Sequence, residues 1–258
     1  LPPAAPRRAY AAGITGSGWE GTVADARTRA GPLSSLRVGL LGAHQADNLA
    51  VTLAVLDALV ERWDISVGEG ALRDGLADGR WPGRLELIDG SAAGHPRVLL
   101  DGAHNPAGAR ALARALADLD LRRPTIVFGA MRGKDVGGVL SELASIDPSF
   151  VFTRVEDPNT HDPEELARVW RRRGGVARTA PDPRAALDIA TGDPVVVAGS
   201  LYLVGEVRGM ITGEEDRYTL VYPRDANSIE DKISIFAPIG TALLGYRVAD
   251  TVQRRVPA

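Results

Sequence analysis

The chain carries 258 residues, with 30 Lys and Arg against 33 Asp and Glu, for a formal net charge of −3. The length suits one large or two ordinary domains, and the charge balance supplies no general basic field for nucleic acid. There is no cysteine, which excludes disulfides, thiolate zinc sites and thiol catalysis and fits a cytoplasmic protein.

The first residues, Leu1-Pro2-Pro3-Ala4-Ala5-Pro6-Arg7-Arg8, lack the apolar core of a signal peptide, and no later apolar run reaches membrane-spanning length. Methionine occurs only at Met131 and Met210, so a piece of a longer protein or a mis-started reading frame is expected. Residues 1 to about 40 are rich in Gly, Ser and Thr, with short strand-like pieces ending at Leu36-Arg37-Val38-Gly39-Leu40-Leu41. An amphipathic helix is expected from His44 to Arg62, with Leu49, Leu53, Leu56, Leu59 and Val60 on its apolar side. A second helix follows Ser66 and ends near Leu76, and Gly79, Pro82 and Gly83 then break the pattern as an interdomain hinge.

From Arg84 onward strands and helices alternate. Leu85–Ile88, Arg97–Leu100, Thr125–Gly129, Phe150–Thr153 and Pro194–Gly199 read as strands. Residues 106–119, 136–145, 163–173 and 183–190 read as helices. This succession predicts an α/β fold, a Rossmann-like, mostly parallel sheet flanked by helices. After Gly213 the character changes. Thr219–Tyr222 and Ile233–Phe236 read as strands joined by turns, without a crossover helix.

Four clusters carry candidate chemistry. Asp101-Gly102-Ala103-His104-Asn105-Pro106 ends an apolar run and opens a helix, where open sheets bind ligands. Its plain alternative is that Asp101 or Asn105 only caps the helix. Gly42-Ala43-His44-Gln45-Ala46-Asp47-Asn48 opens another helix, and the Asn48 amide offers a donor and an acceptor suited to an adenine edge. Trp81-Pro82-Gly83-Arg84-Leu85-Glu86 places a guanidinium at a rigid break, fit to grip phosphate or merely to pair with Glu86 on the surface. Gly199-Ser200-Leu201-Tyr202-Leu203-Val204-Gly205 lets a ligand approach the backbone, with Ser200 on a carboxylate. Its plain alternative is a capped helix with Leu201 and Leu203 as core.

Gly133-Lys134-Asp135 is not a phosphate loop, because Phe128 and Asp135 stand where the loop requires glycine and a hydroxyl. Lys134 is expected in solvent or beside a carboxylate near the site. Gly13-Ile14-Thr15-Gly16-Ser17-Gly18 lacks the lysine as well. His95 and His161 read as isolated surface residues, and Arg171-Arg172-Arg173 as a solvated helix end.

Together, GAHQADN, WPGRLE, LLDGAHNP, VFGAMRGKD and GSLYLVGEVR resemble, in order and spacing, the bifunctional folylpolyglutamate synthase/dihydrofolate synthase family of the Mur ligase superfamily. The resemblance covers roughly residues 1–210. It implies ATP-dependent addition of glutamate to folate or dihydropteroate through an acyl phosphate. Asn48 would then contact adenine, Arg84 the ATP phosphates and Asp101 the ribose. His104 would lie between nucleotide and glutamate as a catalytic residue, Ser200 would help seat the glutamate, and Tyr202 would be structural. ATP and Mg2+ are implied, with the metal ligands and phosphate loop expected in an amino-terminal ATPase domain of which residues 1–83 resemble only the last part. Residues 84–212 would form the carboxy-terminal ligase domain. By itself the chain is expected neither to hydrolyse ATP nor to ligate glutamate.

The tail, 213–258, resembles the carboxy-terminal domain of Gre-type transcription elongation factors, nearest to the regulator of nucleoside diphosphate kinase. The motif SxxxPxGxALLG from Ser234, with Val221-Tyr222-Pro223 upstream, carries that likeness. It implies a small β-rich module with a short helix at Ala242-Leu243-Leu244 and RNA polymerase as a partner. The acidic coiled coil that such factors use for transcript cleavage has no counterpart here.

Overall fold

A computed structural model of the chain describes residues 9–155, 157–213, 219–227 and 232–236. The chain divides into two compact units after Gly213. The first opens with an antiparallel meander of β1 (Ala11–Gly18), β2 (Gly21–Arg27) and β3 (Pro32–Val38). Helices α1 (Gln45–Trp63) and α2 (Glu69–Ala77) follow. Leu49 and Leu53 of α1 bury against Ala24, Ala26, Leu36 and Val38, with Leu72 and Leu76 of α2 alongside. Leu56, Leu59 and Val60, expected on the same apolar side, are only half-buried, and Val51 and Val55 are exposed.

The remainder of this unit is a six-stranded sheet in the order β4-β5-β9-β6-β7-β8. Its strands are β4 (Glu86–Ile88), β5 (Val98–Leu100), β6 (Thr125–Phe128), β7 (Ser149–Phe152), β8 (Ala177–Thr179) and β9 (Val195–Ala198). Only β4 runs antiparallel to its neighbour. Helices α3 (Pro106–Asp118), α4 (Val136–Leu143), α5 (Pro163–Arg171), α6 (Pro183–Ile189) and α7 (Leu201–Thr212) connect and flank the strands. Alternation along each strand divides the core into two layers. Leu99, Ile126, Phe128, Phe150, Phe152 and Val196 pack with α3, α4 and α5. Val98, Leu100, Val127, Val151, Val195 and Val197 pack with α6 and α7. Burial on both faces explains why these strands read as unbroken apolar runs. The fold is thus α/β with a mostly parallel sheet between helices.

The first layer is locked by aromatic rings. Phe150 and Phe152 stack with centroids 4.9 Å apart, and Phe128 meets both edge-on at 5.8 and 5.9 Å. Trp170 of α5 closes the group edge-on at 4.8 Å from Phe150.

One strand goes beyond the sequence pattern, and one alternative holds only in part. Strand β8 has no apolar run to announce it, because its residues Ala177, Arg178 and Thr179 lie on the outer edge with one solvated flank. Leu201, which the capped-helix alternative placed in the core, is 49% exposed because it occupies the first turn of α7, while Leu203 is fully buried. The second unit shows β10 (Thr219–Val221) paired parallel with β11 (Lys232–Ser234), and a 3-10 turn at Pro223–Asp225. The helix expected at Ala242-Leu243-Leu244 lies outside the described residues.

Candidate functional site

Strands β5 and β9 end side by side at the point where the chain, having run outward through β6, β7 and β8, returns to the middle of the sheet. Such a switch point leaves a crevice beyond the carboxyl ends of the strands. Asp101 follows β5 directly, and its N–H continues the ladder to the Val197 carbonyl at 3.0 Å. Its carboxylate is buried and doubly engaged, Oδ1 accepting from Ala103 N at 2.9 Å and Oδ2 from Leu85 N at 3.1 Å. Burial raises the Asp101 pKa above the ordinary carboxylate value, while those two N–H bonds and the charges of Arg84 and His44 pull in the opposite direction. Asp101 does not cap α3. Asn105 does, its Oδ1 accepting from Gly108 N at 2.8 Å.

The loop before β4 is pinned at each backbone position around Arg84. Gly83 N donates to Glu86 Oε2 at 2.8 Å, and the Gly83 carbonyl accepts from Gly102 N at 2.8 Å. Arg84 N donates to the Trp81 carbonyl at 3.1 Å, and Leu85 N goes to Asp101. Leu85 adopts φ 48°, a left-handed conformation that disfavours leucine, yet its side chain is buried. The Arg84 side chain is exposed and has no hydrogen bond or ion pair among the described residues. The surface pair with Glu86 that the sequence allowed is therefore not formed. Glu86 instead pairs with Arg208 of α7, Nε lying 3.1 and 3.3 Å from the two carboxylate oxygens.

At the start of α1 the buried Gln45 organises its neighbours. Its Nε2 donates to the Leu41 carbonyl at 3.3 Å and lies 3.1 Å from His44 Nε2, and its Oε1 accepts from Asn48 Nδ2 at 2.9 Å. The Asn48 carbonyl oxygen and one remaining N–H are left for a ligand.

These three segments enclose one cavity of about 620 Å³, a volume suited to a nucleotide-sized ligand. Asn48, Arg84 and Asp101 all line it, together with His44, Gln45 and Trp81, and Leu40, Val51, Ala111 and Leu112 supply apolar wall. His104 and Ser200 do not. His104 is half-buried and its Nδ1 donates to the Gly102 carbonyl at 2.8 Å, which leaves Nε2 without a partner among the described residues. Ser200 is 3% exposed, and its Oγ accepts from Tyr202 N at 3.2 Å as the cap of α7.

The sequence reading passed over Gln45, Trp81 and Arg208. Gln45 lies three residues before Asn48, on the same helix face, and that spacing was the available signal. Lys134 is exposed, and Asp135 caps α4 by accepting from Gly138 N at 2.8 Å. His95 and His161 are half-buried. Among the described residues no three His, Asp or Glu side chains gather to hold a metal ion, and no helix is long and apolar enough to cross a membrane.

Comparison with known proteins gives this geometry a setting. The family described as Mur ligase, glutamate ligase domain matches residues 83–201, and that of the GreA/GreB transcription elongation factor carboxy-terminal region matches residues 206–258. The chain is 35% identical over 201 residues to a probable bifunctional folylpolyglutamate synthase/dihydropteroate synthase of Halobacterium salinarum, covering 75% of this chain and 23% of that protein. It is 35% identical over 200 residues to the dihydrofolate synthase/folylpolyglutamate synthase of Mycobacterium tuberculosis, covering 69% of this chain and 40% of that one. The crystal structure of Mycobacterium tuberculosis folylpolyglutamate synthase complexed with ADP and AMPPCP superposes with a TM-score of 0.66 at 32% identity, covering 78% of this chain and 48% of that chain. The chain thus spans less than half the length of these relatives. Over residues 83–201 its sequence matches the glutamate ligase domain of the Mur ligases, and its α/β fold is the one their structures share.

Proposed function

We propose that this chain supplies one wall of the nucleotide site and the amino-acid-facing domain of an ATP-dependent ligase joining L-glutamate to folate or dihydropteroate. The observation that carries the reading is the convergence of Asn48, Arg84 and Asp101, from three separate segments, on one cavity. In this reading residues 1–83 are the last part of an ATPase domain, 84–212 the ligase domain, and 213–258 a Gre-type module.

The chemistry sets the requirements. A carboxylate resists an amine until one oxygen becomes a phosphate leaving group, so phosphoryl transfer from ATP must come first, with its charge neutralised. The unpaired Arg84 guanidinium suits the nucleotide phosphates. Asn48 offers its free amide atoms to the adenine edge. Asp101 has a remaining lone pair on each oxygen for a ribose hydroxyl, while its N–H bonds hold the Arg84 loop. His104, with Nε2 free, is assigned the space between nucleotide and incoming glutamate. Ser200 would meet the glutamate carboxylate through its hydroxyl proton, since Oγ already accepts from Tyr202 N. ATP fits these residues. Magnesium does not, because Asp101 is the sole acid lining the cavity among the described residues, so no step is routed through the metal.

The sequence contains no phosphate loop. The expected result is that the chain binds ADP, with slower hydrogen exchange at the Arg84 and Asp101 amides, and forms no ADP when given ATP, magnesium, glutamate and dihydropteroate. Unchanged exchange at those amides overturns the assignment of the pocket. ADP formation overturns the view that this polypeptide is only part of the enzyme.

The match over residues 206–258 favours a second reading, a module that docks on RNA polymerase through the tail. Co-purification with polymerase, lost when residues 213–258 are deleted, is its test. The match begins inside α7, whose residues Val207 and Ile211 belong to the core of the first unit.

A further inference from the structure

We propose that Glu86, oriented by Arg208, is a positioning residue that aims the Arg84 guanidinium at the phosphates of a bound nucleoside diphosphate or triphosphate. The proposal rests on the reading of the cavity as a nucleotide site, and it assigns a task to an ion pair outside that cavity's lining.

Glu86 reaches back across the turn it terminates. One oxygen takes the Gly83 N–H at 2.8 Å, and both take Arg208 Nε, so the carboxylate ties the loop to a helix more than a hundred residues away. The pair is half-buried, its side chains 27% and 20% exposed, so solvent screens it less than a surface pair. Helix α7 touches the loop a second time four residues earlier. A Cβ built on Gly83, which has φ +69°, would stand 2.8 Å from Val204 Cγ1. Val204 and Arg208 therefore share one face of α7 and bear together on the turn.

The other anchors complete the frame. The Gly83 carbonyl is held by Gly102 N, and Leu85 N by Asp101. Leu85 sits at a φ that costs a leucine backbone energy and persists only where the surroundings over-determine it. The N–H groups of Gly83, Arg84 and Leu85 and the Gly83 carbonyl are thus held, whereas the guanidinium itself has no partner among the described residues. A cation left unpaired on a rigidly held backbone pays little ordering cost when an anion arrives, which is the benefit of preorganisation. Glu86 receives a loop N–H and is itself clamped from outside the loop by the Arg208 guanidinium.

The test is titration calorimetry of the full chain with ADP and, separately, with adenosine. R84A is expected to weaken ADP binding about tenfold while leaving adenosine binding unchanged, the loss of roughly one charge-assisted hydrogen bond. E86A is expected to reproduce that pattern, and E86Q, which keeps one acceptor, to lose only about a third as much affinity as E86A. The decisive measurement is the double variant. If Glu86 acts through Arg84, E86A has no further effect on ADP affinity in the R84A background, whereas a purely structural role adds its own loss. ADP affinity unchanged in E86A but weakened in R84A overturns the positioning role alone. A chain that does not bind ADP, or an R84A variant that binds it as well as the parent does, overturns the nucleotide reading and the proposal with it. Equal losses for ADP and adenosine in E86A also overturn the proposal, because they mark general loosening of the fold.

Discussion

Asp101 holds a charge where burial opposes it, and its two N–H partners keep it there only in part. With the folded pKa raised above the ordinary 3.8, the native state retains this proton more strongly than the unfolded chain does. The group's contribution to stability is therefore fully present below the unfolded value and is lost as pH rises through the raised folded value. Urea unfolding of the parent and D101N across this acidic range should show the parent losing stability relative to the variant as pH rises. Gly199 sets a second demand. It has φ +104°, and an added Cβ would meet the Gly129 carbonyl oxygen at 2.5 Å and the Phe128 ring at 2.6 Å. Neither obstacle is the free end of a flexible chain, so G199A should cost about 3 kcal/mol in equilibrium unfolding, combining left-handed strain with overpacking. At this scale the residues of the cavity were legible from their types: an amide, a guanidinium and a carboxylate each next to a break in pattern. Their partners were not. Glu86 looked like the mate of Arg84 because it lies two positions away, yet tertiary packing gave it to Arg208, which sequence distance concealed.

Helix starts were the most readable elements, for a physical reason. Asn105-Pro106, Asp162-Pro163 and Asp182-Pro183 each put an acceptor at the cap and a residue without N–H in the first turn, so the sequence itself writes the boundary. N105A should cost about 1 kcal/mol of stability by thermal or urea unfolding, the usual worth of such a cap. Helix ends and edge strands were harder. Helix α5 stops at Arg171, short of the 173 expected, where Arg173 N and Gly174 N tighten onto the Trp170 and Arg171 carbonyls, and the arginine-rich sequence carries no breaker before Gly174 to mark that end. Strand β8 escaped notice because alternation over three residues is too short to register.

For the whole molecule, the βα succession fixed the layers but not the strand order. Nothing local says that β9 inserts between β5 and β6, and that insertion is what brings Ser200 and Asp101 to neighbouring strand ends. Nor did the pattern show that residues 9–80 would close a core of their own. Leu49 and Leu53 are covered by the meander, with Leu36 fully buried beneath them. Limited trypsin digestion should accordingly leave a fragment that still contains both Asn48 and Asp101. Cleavage that separates them at the earliest times would show the segment to be loosely held.

The chain contains four tryptophans, and they differ sharply in setting. Trp170 is sealed in the aromatic group beneath α5, Trp63 is exposed beyond the cavity lining, and Trp19 is half-buried at the edge of the core with the guanidinium of Arg97 over its ring. Trp81 alone is both 66% exposed and part of the wall beside Arg84. An occupant would strip water from that indole and change its emission, so the protein carries its own optical gauge of occupancy. W81F should silence the fluorescence response to ADP while the heat of binding remains, and a response that survives would locate the ligand elsewhere.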